Sequence, residues 1–463
     1  MRYLLLLLFS ACFFIVEAQK GAGGEKPNIL FVLIDDMGYA DPGCYGNDEV
    51  ETPSIDRLAT EGIRFTEYYS SAPICSPSRV AVLTGQYPQR WGITSYIDSR
   101  EKNKARGMRD YLDPGAPSIA RILAGAGYYT AHVGKWHMGG GRDVGDAPLI
   151  AEYGFMESIT QFEGLGDRYL ATYETLNLQD STRQLEKWSA QLGRGEIYWE
   201  KRYNVTARFV DRAIAAIRRA QSAGKPFFLN LWPDDVHTPL EPSPANRGTG
   251  SKHDRYLGVI KELDRELGRI FDFIRNDKRL FENTIIVLTS DNGPEPGAGI
   301  AGKFRGTKGS LYEGGIREPF IVWYPGKIDE AKRGSVNTRD VIAGMDLPPT
   351  FAALAGVKTP HDFDGLDASR AFMGQSQAPR SQAIMWQRPP DRKVIDGETQ
   401  PDLAIREGNF KLVANTDGSG IRLYNLLVDP TESKDVSDKE PEVTKTLSKK
   451  LLSWSASMPP MGN

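Results

Sequence analysis

The chain has 463 residues, with 57 Lys+Arg against 60 Asp+Glu and a formal net charge of −3. That near-balance excludes the basic excess a nucleic-acid binder carries. Hydrophobic residues make up 40%, which excludes a disordered chain and leaves enough apolar sequence for a large core.

Residues 1–18 read as an export leader. Arg2 supplies the positive start, and Leu4 to Val16 form an apolar run too short to span a bilayer. Val16-Glu17-Ala18 offers a cleavage site before Gln19, while Cys12, after Ser10-Ala11, is the alternative point for a lipid anchor. Both readings send the chain out of the cytoplasm, to the periplasm or beyond, without a transmembrane segment.

The rest alternates strands and helices. Asn28 to Ile34 is a continuous apolar run, as in a strand buried on both faces of a parallel sheet, and it ends in Asp35-Asp36. Thr52-Pro53-Ser54 opens a helix through Ile55, Leu58, Ala59 and Ile63. Ser118 to Gly125 reads as a helix and Thr130 to Val133 as a strand. The amphipathic helix Val205 to Ala223 feeds a strand at Phe227 to Leu231, and Arg255 to Asn276 feeds Thr284 to Thr289, which ends in Asp291-Asn292. Two strands thus deliver oxygen-bearing side chains to one sheet edge, where open α/β sheets bind ligands. The aromatic stretch Tyr198-Trp199 to Tyr203 reads as core packing.

Beyond about residue 375 short strand-like runs at 383–387, 403–406, 410–413 and 422–424 are joined by turn signals, and a helix follows from Pro441 to Trp454. The expected fold is α/β: a large layered α/β/α domain at 19–375 with a mostly parallel or mixed central sheet, then a small antiparallel α+β subdomain at 376–463.

Within the fold only Cys44 and Cys75 remain. Two cysteines do not staple an exported chain of this size, though one bridge is open, and a buried, inert Cys44 is the simpler reading. Cys75 sits in a polar, proline-flanked segment, an unusual place for a free thiol in an oxidising compartment.

Cys75-Ser-Pro-Ser-Arg79, followed by Leu83-Thr84-Gly85, resembles the signature of type I sulfatases of the alkaline phosphatase superfamily. The family's second signature is matched by Gly127-Tyr-Tyr-Thr130 and Gly134-Lys135-Trp136-His137. The resemblance runs from Pro27 to Leu423-Tyr-Asn-Leu426 and Asp429-Pro430, nearly all of the mature chain. It implies a sulfuric ester hydrolase whose Cys75 is oxidised to formylglycine by a maturation enzyme and hydrated to a geminal diol. One hydroxyl attacks sulfur and expels the alcohol; the other loses its proton, sulfate leaves and the aldehyde returns.

Asp35, Asp36, Asp291 and Asn292 are hard oxygen donors suited, with position 75, to one Ca²⁺ in preference to Mg²⁺. Three carboxylates repel one another unless a cation lies between them. Arg79, four residues after Cys75 on a helix beginning at Pro77 or Ser78, faces the same way. Lys135 and His137 alternate along an extended segment and so share a face. By resemblance Lys135 and Lys308 bind sulfate oxygens, His137 orients the diol and takes its proton, and His237 is the leaving-group acid. His132 reads as structural, and Gly139 to Asp143 as either a sugar-pocket lining or a loop with a salt-bridged Arg142.

The expected substrate is a sulfated carbohydrate attacked from an oligosaccharide end. The alternatives are a formylglycine-dependent phosphodiester or phosphonate monoester hydrolase and a non-catalytic glycan-binding relative. Two-zinc phosphatases need several histidines; five histidines and an Asp-Asn pair favour one calcium. Filled catalytic positions disfavour the non-catalytic reading.

Overall fold

The computed structural model describes residues 25–161, 163–175, 181–359, 361–395 and 397–459, so the leader and Cys12 lie outside it. Strands in chain order are β1 (Asn28–Ile34), β2 (Ile63–Tyr69), β3 (Tyr129–Gly134), β4 (Glu157–Ile159), β5 (Arg168–Thr172), β6 (Ile197–Lys201), β7 (Phe227–Trp232), β8 (Thr284–Ser290), β9 (Arg317–Trp323), β10 (Ser335–Asn337) and β11 (Ile342–Ala343). The central sheet has the order β10-β2-β9-β8-β1-β7-β3-β4, with β11 also on β2. Only β9 runs antiparallel to its neighbours, β2 and β8. The sheet is therefore mixed and mostly parallel, as expected.

Strand β1 shows why the apolar run is continuous. Leu30, Val32 and Ile34 join the core on one face, against the helices Pro53–Glu61, Val205–Ser222 and Lys252–Asn276. Ile29, Phe31 and Leu33 join the core on the other, against Cys75–Thr84, Ile119–Gly125 and Leu347–Leu354. Each such side chain taken fully from water contributes about 1.5–3 kcal/mol, so β1 is committed to the middle of the sheet by both faces at once.

Two expectations need correction here. The first helix stops at Glu61, and Ile63 opens β2. Gly62 makes the turn against β9: a Cβ there would lie 2.3 Å from the Val322 carbonyl oxygen, so no other residue fits without backbone movement. The second helix starts at Cys75, two residues before Pro77. Proline is tolerated in a first turn, where its missing N–H has no acceptor, and the Ser78 amide donates to the Ile74 carbonyl at 3.3 Å.

A four-stranded antiparallel sheet is built from Ile384–Gln387, Leu403–Glu407, Phe410–Ala414 and Arg422–Asn425, and the helix Pro441–Ser457 packs on it through Leu447, Leu451 and Trp454. The same apolar cluster takes in Tyr69, Leu311, Ile316 and Met345, so this sheet is packed onto the main body. At the junction lies a buried ionic cluster. Lys411 Nζ reaches Glu313 and Glu432 at 2.9 Å each, Tyr69 Oη donates to Glu313 at 2.6 Å, and Arg317 pairs with Glu313 and Glu67.

The stretch Tyr198–Tyr203 is core only in part. Strand β6 pairs only with β5, apart from the main sheet, so alternate side chains face solvent; Trp199 is 51% exposed while Tyr198 packs on Tyr169.

Candidate active site

Strands β1 and β8 are parallel neighbours, with Ile34 opposite Ser290. Their next residues, Asp35-Asp36 and Asp291-Asn292, therefore emerge side by side, and all four are buried. The Asp36 amide donates to Asp291 Oδ1 at 3.2 Å, and Asn292 Nδ2 donates to Asp36 Oδ1 at 2.7 Å. Asp36 has φ +62°, a conformation Asp tolerates better than most residues.

Arg79, fully buried, closes the back of this group. Its Nε donates to Asp291 Oδ2 at 2.9 Å, Nη2 to Asp35 Oδ1 at 2.9 Å and Nη1 to the Lys135 carbonyl at 2.7 Å. Lys135 Nζ sits 2.6 Å from Asp35 Oδ2, and Lys308 Nζ 2.6 Å from Asp36 Oδ2. Cys75, in the first turn of its helix, places Sγ 4.0 Å from Asp36 Oδ1 and 3.9 Å from Lys135 Nζ.

Electrostatics follow from this crowding. Burial would raise the Asp35 carboxyl, but Lys135 and Arg79 hold it well below the usual range. Burial first, then Asp35 beside it, pushes Asp291 up to about 8. Three buried carboxylates thus crowd one another even with Arg79, Lys135 and Lys308 beside them. Asn292 Oδ1 is buried without a hydrogen-bond partner among the described residues, and one oxygen each of Asp35, Asp36 and Asp291 lie within 4.8 Å of one another. Three carboxylate oxygens and an orphaned amide oxygen are the donor set of a hard divalent cation, so the residues fit the metal site the sequence suggests. Burial, and next the charge of Asp35, pushes the Cys75 thiol well up.

Cys75, Lys135, His137, His237 and Lys308 border one cavity of about 290 Å³. His137 arrives there differently from the expected alternation. It has φ +54°, so the chain turns between Lys135 and His137, and its amide donates to the Glu163 carbonyl at 3.3 Å. Its Nε2 lies 2.7 Å from Glu163 Oε2 and 3.1 Å from the Ile97 carbonyl. His237, 31% exposed, has Nδ1 2.6 Å from the Thr238 carbonyl and Nε2 3.7 Å from Asp36 Oδ2. Burial, then Lys135 and Lys308, lowers His237 to about 3.

His132 packs edge-on to the rings of Trp136, Trp232 and Phe155, where burial lowers it to about 3, in keeping with a structural role. Cys44 and Cys75 are both free, so no bridge joins them. Arg142 satisfies both readings of its loop: it is ion-paired to Asp98 at 2.7 Å and to Glu163, and it borders the cavity. Sequence reasoning missed Glu163, the Arg202–Asp234 pair at 2.9 Å, Tyr96 and Arg392, all on the cavity wall. They come singly from distant segments, with no spacing that marks them.

The Sulfatase family model matches residues 27–357, and one described as N-sulphoglucosamine sulphohydrolase, C-terminal, matches 304–457. The chain is 36% identical to an N-acetylgalactosamine-6-sulfatase of Canis lupus familiaris over 80% of this chain and 70% of that one. It is 33% identical to arylsulfatase A of Bos taurus, over 86% and 76%. Its fold is similar to the crystal structure of Ps i-CgsB in complex with k-i-k-neocarrahexaose, with a TM-score of 0.79 and 28% identity over 95% and 94% of the two chains. With both signature segments converging on one cavity floor, the chain belongs to the type I sulfatases and is a sulfuric ester hydrolase.

Proposed function

We propose that this enzyme removes ester sulfate from sulfated carbohydrate outside the cytoplasm, acting on an oligosaccharide end, with Cys75 carried as formylglycine and one Ca²⁺ at the carboxylate cluster. Residues 19–375 form the catalytic unit in this reading and 376–463 the smaller α+β unit. The observation that carries it is the convergence of Cys75, two lysines and two histidines on one cavity of about 290 Å³, large enough for a single sugar ring. N-acetylgalactosamine-6-sulfatases among the relatives support a galactose-type sugar sulfate.

Asp35, Asp36, Asp291 and Asn292 would hold the cation, whose charge neutralises the carboxylates and polarises the nucleophile at position 75. Formylglycine, made by a separate maturation enzyme, supplies that nucleophile as a hydrated aldehyde. The chain's own groups do the rest. Lys135 and Lys308 grip sulfate oxygens and hold the ester for in-line attack. His137, oriented by Glu163, accepts the proton released at position 75 when sulfate leaves. His237 directs Nδ1 at the Thr238 carbonyl and keeps Nε2 for the leaving oxygen. Burial is the main cause that lowers His237, with Lys135 and Lys308 adding to it, and a sulfate ester between the two lysines offsets their share.

The test is free sulfate and free phosphate released by the matured enzyme from sulfated glycosaminoglycan, mucin-type and algal oligosaccharides and a phosphodiester, with Cys75→Ala as blank. Sulfate from one glycan class is the expected result. Phosphate without sulfate overturns the reading in favour of a phosphoester hydrolase. The mass of the Cys75 peptide tells an immature enzyme from a wrong assignment.

A further inference from the structure

The cations of the cavity wall are not equivalent. Lys135, Lys308, Arg142 and Arg202 each face a carboxylate, Asp35, Asp36, Glu163 and Asp234 respectively. Arg392 borders the same cavity, and among the described residues its guanidinium has no carboxylate or hydrogen-bond acceptor. The carboxylate next to it in sequence is taken: Asp391 binds Arg106 at 2.8 Å and Ser95 Oγ at 3.1 Å.

Arg392 is nonetheless held in place. Its guanidinium lies 5.6 Å from the ring centroid of Tyr96, and that ring is clamped on Arg106 at 4.2 Å. Its stem crosses Gly309, the residue after Lys308. A Cβ on Gly309 would lie 3.2 Å from Arg392 Cδ and 2.9 Å from Ile395 Cδ1. A fork-shaped cation is therefore positioned on the cavity wall that Lys308 shares, and its neighbours among the described residues leave its donors unused.

We infer that Arg392 reads a second anionic group on the substrate, a carboxylate or a further sulfate beyond the one removed. The inference rests on the reading of the cavity as a sulfated-sugar site. Two oxygens of a carboxylate, or two of the three on a sulfate, match the guanidinium fork with two parallel N–H···O bonds, and a charged pair in a partly desolvated wall discriminates strongly against a neutral analogue. Tyr96 and the Arg106–Asp391 pair keep the fork preorganised, so little entropy is lost when the anion arrives.

The test measures binding and turnover separately, on a chondroitin 6-sulfate disaccharide, its uronate methyl ester and, as the second doubly charged probe, a 4,6-disulfated disaccharide with its uronate likewise esterified. Calorimetric titration of wild-type protein is expected to give at least about tenfold tighter binding for a doubly charged probe than for the methyl ester. The carboxylate and disulfate arms identify which oxyanion is read. Arg392→Ala is expected to erase that preference while leaving methyl-ester affinity and 4-nitrophenyl sulfate turnover within about twofold, with Arg392→Lys intermediate. Wild-type affinity that ignores the second charge, or that is undetectable for all three probes, overturns the inference. So does an equal loss on every probe in Arg392→Ala. Because binding decides it, an enzyme that binds with the expected preference but releases no sulfate would count against the proposed function alone.

Discussion

Two groups of largely buried charges sit within this fold and behave differently. At the sheet edge, Asp35, Asp36 and Asp291 face Arg79, Lys135 and Lys308. At the junction with the C-terminal sheet, Glu313, Glu432 and Glu67 face Lys411, Arg317 and Arg406. Each sets three carboxylates against three cations, so charge balance does not tell a catalytic cluster from a structural one. What separates them is access and arrangement. The first opens onto a cavity shared with two histidines and leaves an amide oxygen unpartnered. The second is spanned by Lys411 and tied to the Tyr69 hydroxyl between two packed sheets. A buried ion pair is weak evidence for stability by itself; the junction cluster specifies how the C-terminal sheet docks, whereas the edge cluster is arranged for ligands.

The sharpest way to break that contrast is to remove one member from each. Cys75→Ala should cut sulfate release by at least about 10³-fold, since the nucleophile is lost, while the thermal melt and circular dichroism stay near wild type. Lys411→Met should do the reverse. Removing one partner from a buried pair costs about 3–5 kcal/mol, read by denaturant unfolding, while kcat of the molecules still folded is retained. A Lys411 variant that loses kcat at unchanged stability would dissolve the distinction.

Smaller effects refine the catalytic side. His237→Ala should lower kcat by about 10²–10⁴-fold, and a substrate with an activated phenolate leaving group should recover much of it. If both leaving groups suffer equally, His237 is not the acid. Chelation should destabilise the wild type, with Ca²⁺ restoring about 2.7 kcal/mol at a hundredfold excess over Kd; Asp291→Ala should remove most of that response in a melting titration.

The smallest effect belongs to the junction. Burial, against Lys411 and with Glu313 adding to it, pushes Glu432 up to about 7 from 4.5. The folded state thus holds that proton more tightly than the unfolded chain. This contribution to stability is complete below about pH 4.5 and is lost as pH rises through 7. Urea midpoints between pH 5 and 8 should fall less in Glu432→Gln than in wild type.

Much of the fold was legible because its physical cause is local. The apolar run of β1 and the short C-terminal strands are found within a residue or two of their expected places, and the helix expected at Arg255 to Asn276 runs from Lys252 to Asn276. Strands β2 and β9 were not, since β2 follows a helix with only Gly62 between them and β9 begins straight after the Glu313–Ile316 turn. The side chains proposed as catalytic were legible for another reason: chemistry at sulfur needs particular residue types at fixed spacing, and the two signatures carry most of them.

What the sequence by itself determined is the set of reacting groups and the strands that deliver them, because periodicity and strand-end carboxylates are properties of contiguous residues. Only the tertiary structure decided which groups are neutralised and which remain available. Glu163 against His137, and Arg392, whose guanidinium has no acceptor among the described residues, on the cavity wall that Lys308 shares, bring together segments dozens to hundreds of residues apart. A charge is satisfied or exposed according to what packs against it, and that is fixed when the sheet, its loops and the C-terminal segment close around one cavity.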